Sequence, residues 1–356
     1  MGAELKTKLK IGYWPLTKEM DTPGDRRRLK FWASARGHTL VTDLSKKVDL
    51  LVASENADFN SKFFQNDRVP FVFDLVDAYL SPLNFLDDAA RGVAKKLNGQ
   101  ISGGVKPFSH HVRDFCRNAT AVICSSMEQE LVIKQFNNNT SVILDSHEEI
   151  PFIDSSTKKA DSIIPSQILW EGQPATIGGI KPISSTLSEL SKQHRLHLNL
   201  ITDQKYYKLL NRYFECETVK LLGRDFHKEP QLFSIIPWTP INLADFARNS
   251  QVAIIPIDLS VPMQVLKPEN RLLIMWRLGL PCLTSASPAY SRVASVSGAK
   301  VVCNSIEDWK TNLNLIINDP TYALDESTKG QDYLRENHSG EILLRKWDIA
   351  MESALG

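Results

Sequence analysis

The stretch 251–290, QVAIIPIDLSVPMQVLKPENRLLIMWRLGLPCLTSASPAY, decides how the rest of the chain is interpreted. It begins with a short apolar run, Val252–Ile257, which predicts a buried parallel strand. After a polar loop, Pro268 precedes a helix that opens at residues 269–271 and stops at Gly279. A second short strand, Cys282–Thr284, comes next. This order of strand, loop, helix, glycine and strand is typical of a parallel α/β sheet.

Two basic residues lie where that helix begins, Lys267 in the loop and Arg271 in the first turn. A helix that follows a parallel strand points free N–H groups and the positive end of its dipole above the sheet. A phosphate or diphosphate is the ligand that suits such a position. The alternative is that both residues are solvated surface charges on an ordinary α/β unit.

Short strands alternate with helical stretches along the chain in two successive series, which predicts two Rossmann-like α/β domains. In the first series we predict strands at Leu9–Trp14, His38–Thr42, Val48–Ala53, Val69–Leu75, Asn118–Ser125 and Thr140–Leu144. In the second series we predict strands at Ile168–Trp170, Leu196–Thr202 and Leu232–Ile236, besides those of the 251–290 stretch, and a helix over Gln204–Phe214. The polar, small-residue run Pro151–Pro165 predicts a linker between them.

Composition excludes several classes of protein. The 356 residues are 42% hydrophobic and 23% charged, which is ordinary for a globular chain with room for two domains. The net charge of +1, from 42 basic and 41 acidic residues, lacks the basic excess of a nucleic-acid-binding protein. No apolar run is long enough to span a membrane and no signal peptide is evident, so we expect a cytoplasmic protein.

The cysteine pattern predicts free, buried thiols. Their number is odd and no pair has the C-x-x-C spacing of a zinc or redox site. The five are Cys116, Cys124, Cys216, Cys282 and Cys303.

The motifs of the 251–290 stretch resemble the nucleotide-binding core of GT-B glycosyltransferases, in particular the family-4-like group (glycosyltransferase group 1). The C-terminal part of the resemblance is carried by Ile255-Pro256-Ile257, Lys267, Asn270-Arg271, Gly279-Leu280-Pro281, Pro288-Ala289-Tyr290, His338-Ser339 and Trp347. The N-terminal part is carried more weakly by Gly24–Arg28, Asp74–Asp77 and Val122–Ser126. One feature departs from the group: the paired glutamates, eight residues apart, are replaced by Leu266 and Ile274.

The resemblance implies two Rossmann-like domains facing across a cleft and a last helix that crosses back to the N-terminal domain. It implies an N-terminal domain over 1–152 on the acceptor side, a linker over 153–165, and a C-terminal domain over 166–335 on the donor side. Residues 336–356 would form the helix that packs back on the N-terminal domain.

In the first domain, two carboxylates are candidate catalytic bases. Asp77 follows a predicted strand, and its alternative role is to cap the following turn. Asp25 lies in the loop after the first strand, where an N-cap of the next helix is the alternative. Arg26 and His110 are assigned to acceptor binding; a solvated face for Arg26 and a loop or helix-end position for His110 are the alternatives.

In the second domain, the resemblance implies a donor site formed by residues that follow predicted strands or open the key helix. Lys267 is assigned both to donor binding and to catalysis, through stabilisation of the leaving phosphates. Trp238 would stack on the base, and a core tryptophan is the alternative. The donor-binding set is Gly172, Gln173, Thr202, Asp203, Trp238, Lys267, Asn270 and Arg271.

These features predict a metal-independent glycosyltransferase, because the sequence has no Asp-x-Asp metal motif. Its partners would be a nucleotide sugar, as co-substrate rather than cofactor, and a glycan or lipid-linked acceptor in surface glycan synthesis, with peripheral membrane contact. A non-catalytic GT-B partner subunit, favoured by the missing glutamates, and a nucleotide-sugar epimerase or hydrolase are the alternatives. An oxidoreductase is disfavoured because no G-x-G-x-x-G follows either first strand.

Overall fold

The computed structural model describes residues 8–65, 68–81, 85–97, 99–157, 166–208, 214–222, 226 and 229–356. By their contacts the residues divide into two compact units. The first comprises the chain up to Glu148 together with Pro262–Pro268 and Ser339–Gly356, and the second comprises Glu149–Val261 and Glu269–His338.

Each unit contains a six-stranded, wholly parallel sheet. The strands of the first are β1 Lys10–Trp14, β2 Thr39–Val41, β3 Leu50–Ser54, β4 Phe71–Leu75, β5 Ala121–Cys124 and β6 Thr140–Val142, in the order β2-β1-β3-β4-β5-β6. The strands of the second are β7 Gln167–Glu171, β8 His197–Ile201, β11 Phe233–Ile236, β12 Val252–Ile255, β13 Cys282–Ser285 and β14 Val302–Cys303, in the order β11-β8-β7-β12-β13-β14. All strands predicted for both series are thus present, with shifts of a few residues at their ends.

The helices follow the strands in the α/β alternation that the sequence predicts. They are α1 Pro23–Arg26, α2 Leu29–Arg36, α3 Phe85–Leu97, α4 Phe108–Asn118, α5 Met127–Ile133, α6 Ser184–His194, α7 Pro240–Asn249, α8 Pro262–Val265, α9 Asn270–Arg277, α10 Pro288–Ser297, α11 Ile306–Asn318, α12 Pro320–Asn337 and α13 Gly340–Leu355. A 3₁₀ segment, Pro174–Ile183, leads from β7 into α6.

The C-terminal helix α13 packs on the first sheet, against β4, β5 and β6, and on α2. Its core residue is Trp347, fully buried and stacked on Trp32 with ring centroids 6.0 Å apart. The Trp32 indole N–H donates to Asp348 Oδ1 at 2.7 Å, and Arg36 pairs with the same carboxylate at 2.7 Å. The return of the last helix to the N-terminal sheet is therefore confirmed.

Gly279 ends α9 in the left-handed conformation, with φ of 68°. A Cβ there would lie 2.5 Å from the backbone carbonyl oxygen of Ile153, so the position requires glycine for both conformation and space. The helix stop read from the sequence is confirmed.

The helix predicted over Gln204–Phe214 is wrong. Its described residues form part of an antiparallel pair, β9 Lys205–Lys208 with β10 Phe214–Glu217, and residues 209–213 lie outside the described ranges. The two strands are rich in aromatic residues, which favour strands. An ion pair of 2.8 Å between Lys205 and Glu215 joins them.

The predicted linker lies only partly within the described residues, since 158–165 are outside them. Its first part is tied to the second unit: the Ile153 N–H donates to the Arg277 carbonyl at 2.9 Å, and the Ser155 N–H donates to Gln331 Oε1 at 3.2 Å. All five cysteines lie in described ranges and have free thiols, four of them buried, as predicted.

Candidate active site

Each sheet has a switch point, which lies between two neighbouring strands whose onward connections run in opposite directions across the sheet. Ligands of parallel α/β sheets bind at this point, beyond the carboxyl ends of the strands. In the second sheet that point lies between β7 and β12. Strand β7 ends at Glu171 and is followed by Gly172, and α9 begins nearby at Asn270. In the first sheet the point lies between β1 and β3.

Arg271 provides the cation at this edge of the second sheet. Its guanidinium donates to the backbone carbonyl of Glu171, and its Nε lies 3.7 Å from Glu171 Oε2. The guanidinium carbon also lies 5.1 Å from the centroid of the Trp170 ring, a cation–π arrangement. The Arg271 side chain is thereby held in one place and keeps about a fifth of its surface exposed.

Glu171 links Arg271 to Trp238. The Trp238 indole N–H donates to Glu171 Oε1 at 2.9 Å, while Glu171 Oε2 faces Arg271. Among the described residues, neither Glu171 Oε2 nor Arg271 Nε has a hydrogen-bond partner, although both atoms are buried. Buried polar atoms without partners are rare in folded proteins and call for an explanation, of which a ligand bound at this position is one.

Gly172 makes room for Arg271. A Cβ at this position would lie 3.1 Å from a terminal guanidinium nitrogen of Arg271 and 2.9 Å from Thr176 Oγ1. Gly172 belongs to the predicted donor-binding set. The structure shows that the absence of a side chain at this position leaves space for the guanidinium group of Arg271.

The other predicted donor residues occupy varied positions. Gln173 is exposed and precedes the 3₁₀ segment, Asp203 is exposed, and Asn270 is the first residue of α9. Thr202 follows β8 and is fully buried, and its hydroxyl has no hydrogen-bond partner in the described part of the chain. Their assignment to donor binding stays a prediction.

Sequence reasoning missed an acidic residue at the start of α9. Glu269 is the N-cap residue and is 3% exposed, and it pairs with Arg292 at 3.1 Å. The negative charge next to the helix N-terminus is therefore neutralised by Arg292, whereas Arg271 lies beside Glu171. Only the tertiary fold brings Arg292 to this carboxylate.

In the first unit, the loop that carries Asp77 is fixed through its backbone. The Gln129 amide donates to the carbonyls of Leu75 and Asp77 at 3.2 and 2.9 Å, and the Ser125 hydroxyl donates to that of Val76 at 2.7 Å. The Asp77 N–H in turn donates to Glu55 Oε2 at 2.8 Å. These bonds position the carboxylate in advance, which is what a general base requires.

Asp77 and Lys267, two residues that the sequence assigned to catalysis, lie together. Lys267 Nζ is 3.8 Å from Asp77 Oδ1, and both side chains are a little over one-third exposed. Segment 262–268, which the sequence analysis placed with the donor side, belongs by its contacts to the first unit. It is attached there by the Ser126 hydroxyl, which donates to the Leu266 carbonyl at 2.8 Å.

Glu55, directly after β3, is a further acidic residue that the sequence analysis did not identify. It is 8% exposed, and burial together with the charge of Asp77 raises its pKa to about 8. Glu55 therefore holds a proton at neutral pH. No sequence signal marks it, because a glutamate after a strand is usually solvated and only its burial makes this one unusual.

Asp25 has a structural role. It is fully buried and accepts hydrogen bonds from the Tyr13 hydroxyl at 2.6 Å, the Leu16 N–H at 2.9 Å and the Thr22 hydroxyl at 2.7 Å. These bonds fix the loop between β1 and α1. Asp25 is neither the N-cap residue of the helix, which is Thr22, nor placed at an exposed surface where an acceptor could reach it. We do not retain it as a base.

The assignment of Arg26 and His110 to acceptor binding stays a prediction. The Arg26 guanidinium donates to the Asp21 carbonyl, and His110 is exposed in the first turn of α4. Arg28, the last residue of the Gly24–Arg28 motif, is completely buried and pairs with Asp74 at 2.6 Å and Asp145 at 3.2 Å. Within the described ranges, no group of three or more His, Cys, Asp or Glu side chains could hold a metal ion.

The fold of this chain resembles that of several solved structures. No protein-family model and no curated protein matches the sequence. Among solved structures, Anabaena HepE in complex with UDP and glucose matches with a TM-score of 0.64 at 11% identity, over 98% of this chain and all of that one. WaaG, a glycosyltransferase involved in lipopolysaccharide biosynthesis, matches with a TM-score of 0.55 at 10% identity, over 96% and 99%.

TarM matches with a TM-score of 0.58 at 9% identity over 85% of this chain, and the chain spans 54% of the length of TarM. The two parallel six-stranded sheets, together with these likenesses, show the GT-B glycosyltransferase fold. The fold class predicted from the sequence is confirmed.

Proposed function

We propose that this protein is a glycosyltransferase that moves a sugar from a nucleotide-activated donor to a glycan or lipid-linked acceptor. The observation that carries the proposal is the match over the whole chain to HepE, whose structure holds UDP and glucose. Arg271, seated at the switch point of the second sheet, supports it, since that is where a nucleotide diphosphate would need a cation.

The second unit would bind the donor. Arg271 and the N-terminus of α9 at Asn270 offer N–H groups and positive charge to the diphosphate, and Arg suits phosphate because its donors are arranged as a fork. The Glu171 carboxylate, already bonded to Trp238, would position Arg271 for this contact. Trp238 would then lie beside the nucleoside.

The first unit would supply the base. In the transfer, the acceptor hydroxyl oxygen forms a bond to the anomeric carbon, and the bond from that carbon to the phosphate oxygen breaks. The proton of the hydroxyl passes to the Asp77 carboxylate, and the electron pair of the broken bond remains on the departing diphosphate. Lys267 would stabilise that developing charge, and no resident metal is invoked because the sequence has no Asp-x-Asp motif.

A thermal-shift panel with UDP, GDP, ADP, dTDP, CDP and CMP tests the donor assignment. A ligand at 100 times its dissociation constant stabilises by about 2.7 kcal/mol, which gives a measurable rise in the unfolding temperature. We expect one nucleotide to shift the wild type and to shift Arg271→Gln much less. Arg248→Gln, which removes an exposed arginine from the same unit, is the control and should respond like the wild type.

Lys267→Ala tests catalysis separately. Loss of one donor that stabilises a leaving group typically lowers the rate by about 10²–10³. Hydrolysis or transfer of the sugar from the nucleotide identified above would be measured, with the exposed Lys192→Ala as control. An equal rate in Lys267→Ala and wild type would remove Lys267 from the mechanism.

A non-catalytic partner subunit is the second candidate, and one observation favours it. Ile274, at the position of the second glutamate of the family-4-like group, is 2% exposed and belongs to the buried face of α9. A failure of all six nucleotides to shift the wild type would favour this role. A product analysis that shows an epimerised or hydrolysed sugar, without transfer, would favour the epimerase or hydrolase.

We also propose peripheral contact with a membrane, which a lipid-linked acceptor would require. Helix α3 carries large apolar side chains on its surface: Phe85 is 69% exposed, Leu86 72%, Val93 43% and Leu97 79%. Amphipathic helices of this kind lie in membrane interfaces. None of the described helices is long and apolar enough to cross a membrane. Loss of vesicle co-sedimentation on Leu97→Ser would support the contact, and unchanged co-sedimentation would contradict it.

A further inference from the structure

A pair of cations lies on the ring of Tyr79, close to Asp77. The guanidinium carbon of Arg91 is 5.3 Å from the ring centroid, and Lys95 Nζ is 6.0 Å from it. Both residues belong to α3 and are one helical turn apart, so they project to the same side. The Tyr79 N–H donates to the Asp77 backbone carbonyl at 2.8 Å, which keeps the two residues close together. Tyr79, Arg91 and Lys95 are called the Tyr79 cluster below.

The two cations have little anionic compensation. In the part of the chain that the structure describes, no carboxylate lies within ion-pair distance of either one. Arg91 contacts the Tyr79 ring and donates to Met263 Sδ at 3.3 Å, and a thioether is a weak acceptor. Lys95 donates to the side-chain oxygen of Asn56 at 3.2 Å. Most of the five N–H donors of Arg91 therefore face no protein acceptor among the described residues.

The nearest carboxyls, Glu55 and Asp77, offset this charge only in part. Glu55 is protonated at neutral pH, as its burial requires, and Asp77 already lies beside Lys267. Burial lowers the pKa of Lys95; the charge of Glu55 opposes this effect, and the neighbouring Arg91 charge adds to it. An anion bound at the Tyr79 cluster would offset the repulsion between Arg91 and Lys95 and the cost of burying the charge of Lys95. An uncharged sugar would offset neither.

We propose that the acceptor carries an anionic group of the phosphate type, bound by Arg91 and Lys95 next to the hydroxyl that Asp77 deprotonates. The proposal rests on the proposed function and names the class of acceptor for the same site. Arg91 presents the fork of donors that suits a phosphate. Tyr79 places the anion site near the base, since Arg91 and Lys95 lie over its ring and its backbone N–H donates to the Asp77 carbonyl.

The phosphate could belong to a free sugar phosphate or to a lipid headgroup, and two assays separate these sources. Titration calorimetry of the full chain with glucose 6-phosphate, with glucose as the uncharged match, tests the first. Co-sedimentation with phosphatidylglycerol vesicles, with phosphatidylcholine vesicles as the match, tests the second. Both are measured at fixed ionic strength, because exposed charge pairs are screened by salt.

Arg91→Gln should weaken binding of the anionic probe by about tenfold or more, as expected for loss of a charge-assisted hydrogen bond. Lys96→Gln is the matched control, since it removes a positive charge at an exposed position next to Lys95 on the same helix, and it should change binding less than about twofold. Arg91→Lys should restore part of the affinity. Lys95→Gln gives a second test if Arg91→Gln lowers the unfolding temperature.

Arg91-dependent binding of glucose 6-phosphate assigns the anion to a sugar phosphate, and Arg91-dependent binding of vesicles alone assigns it to a headgroup; both support the proposal. Absence of binding in both assays, or equal losses in Arg91→Gln and Lys96→Gln, would overturn it. The nucleotide panel is run on the same samples. A wild type that binds a nucleotide but no anionic probe counts against this inference alone, whereas loss of all nucleotide binding counts against the proposed function.

Discussion

Replacing Glu55 with glutamine should remove the pH dependence of stability that this buried carboxyl imposes. Glu55 accepts the Asp77 N–H at 2.8 Å, and a glutamine oxygen can accept the same bond, so the substitution removes the titration and keeps the contact. The charged groups that act on Glu55 are Asp77 and Asp74, which disfavour its ionisation, and Lys95, which favours it.

Burial raises the pKa of Glu55 from the ordinary 4.5 to about 8. Because the folded state binds the proton more tightly than the unfolded state, the stabilisation is complete below pH 4.5 and is lost as the pH rises towards 8. One pKa unit corresponds to about 1.4 kcal/mol, so the wild type should lose up to about 5 kcal/mol relative to Glu55→Gln across this window.

Urea unfolding at pH 5, 6, 7 and 8, followed by tryptophan fluorescence and circular dichroism, measures the difference. The two proteins should have similar midpoints at pH 5, and the glutamine variant should become progressively more stable than the wild type towards pH 8. Glu19→Gln, an exposed position in the same unit, should follow the wild type at every pH. If the unfolding midpoints of wild type and Glu55→Gln changed equally with pH, Glu55 would be ionised in the folded protein. A negative charge at Glu55 would then weaken the argument that the Tyr79 cluster needs an anion.

Two further substitutions test the donor edge and the C-terminal helix. Gly172→Ala places a Cβ 3.1 Å from a guanidinium nitrogen of Arg271, so the guanidinium must move. We therefore expect about tenfold weaker nucleotide binding in the thermal-shift panel. The Cβ of Gly178→Ala would meet no atom within 4 Å, so this variant should bind the nucleotide as the wild type does. Trp347→Ala removes a fully buried side chain and should lower the free energy of unfolding in urea by about 3–5 kcal/mol. Ile349→Ala, at a position 59% exposed on the same helix, should lower it far less. Equal losses of stability would mean that α13 contributes little to the core.

The candidate site is a set of charges whose roles differ by burial rather than by residue type. Asp25 and Asp77 both follow strands of the first sheet, yet Asp25 is fully buried and accepts hydrogen bonds from four neighbouring residues, while Asp77 is about two-fifths exposed in its side chain. Arg28 and Arg91 contrast in the same way, since Arg28 has two carboxylate partners in the core and Arg91 has none at ion-pair distance among the described residues.

The local order of elements followed from the sequence because it depends on short-range chemistry. Apolar runs predicted every strand of the two six-stranded sheets except β14. Gly279 predicted the end of α9, because a left-handed residue packed against a carbonyl oxygen has to be glycine. The same reasoning failed over Gln204–Phe214, where β9 is fixed by pairing with β10 rather than by a local pattern. The resemblance to GT-B glycosyltransferases correctly gave the fold, including the return of α13 to the first sheet.

The sequence by itself determined the two parallel sheets, the glycine stop of α9 and the choice of Asp77, Lys267 and Arg271 as candidate residues. Only the tertiary structure decided which of the charges are paired: Lys267 with Asp77, Arg271 with Glu171, Arg292 with Glu269, and Arg28 in the core. It also decided that Glu55 keeps its proton. The physical reason is that the energy of a charge depends on its burial and on partners distant in sequence, and neither is encoded in local spacing.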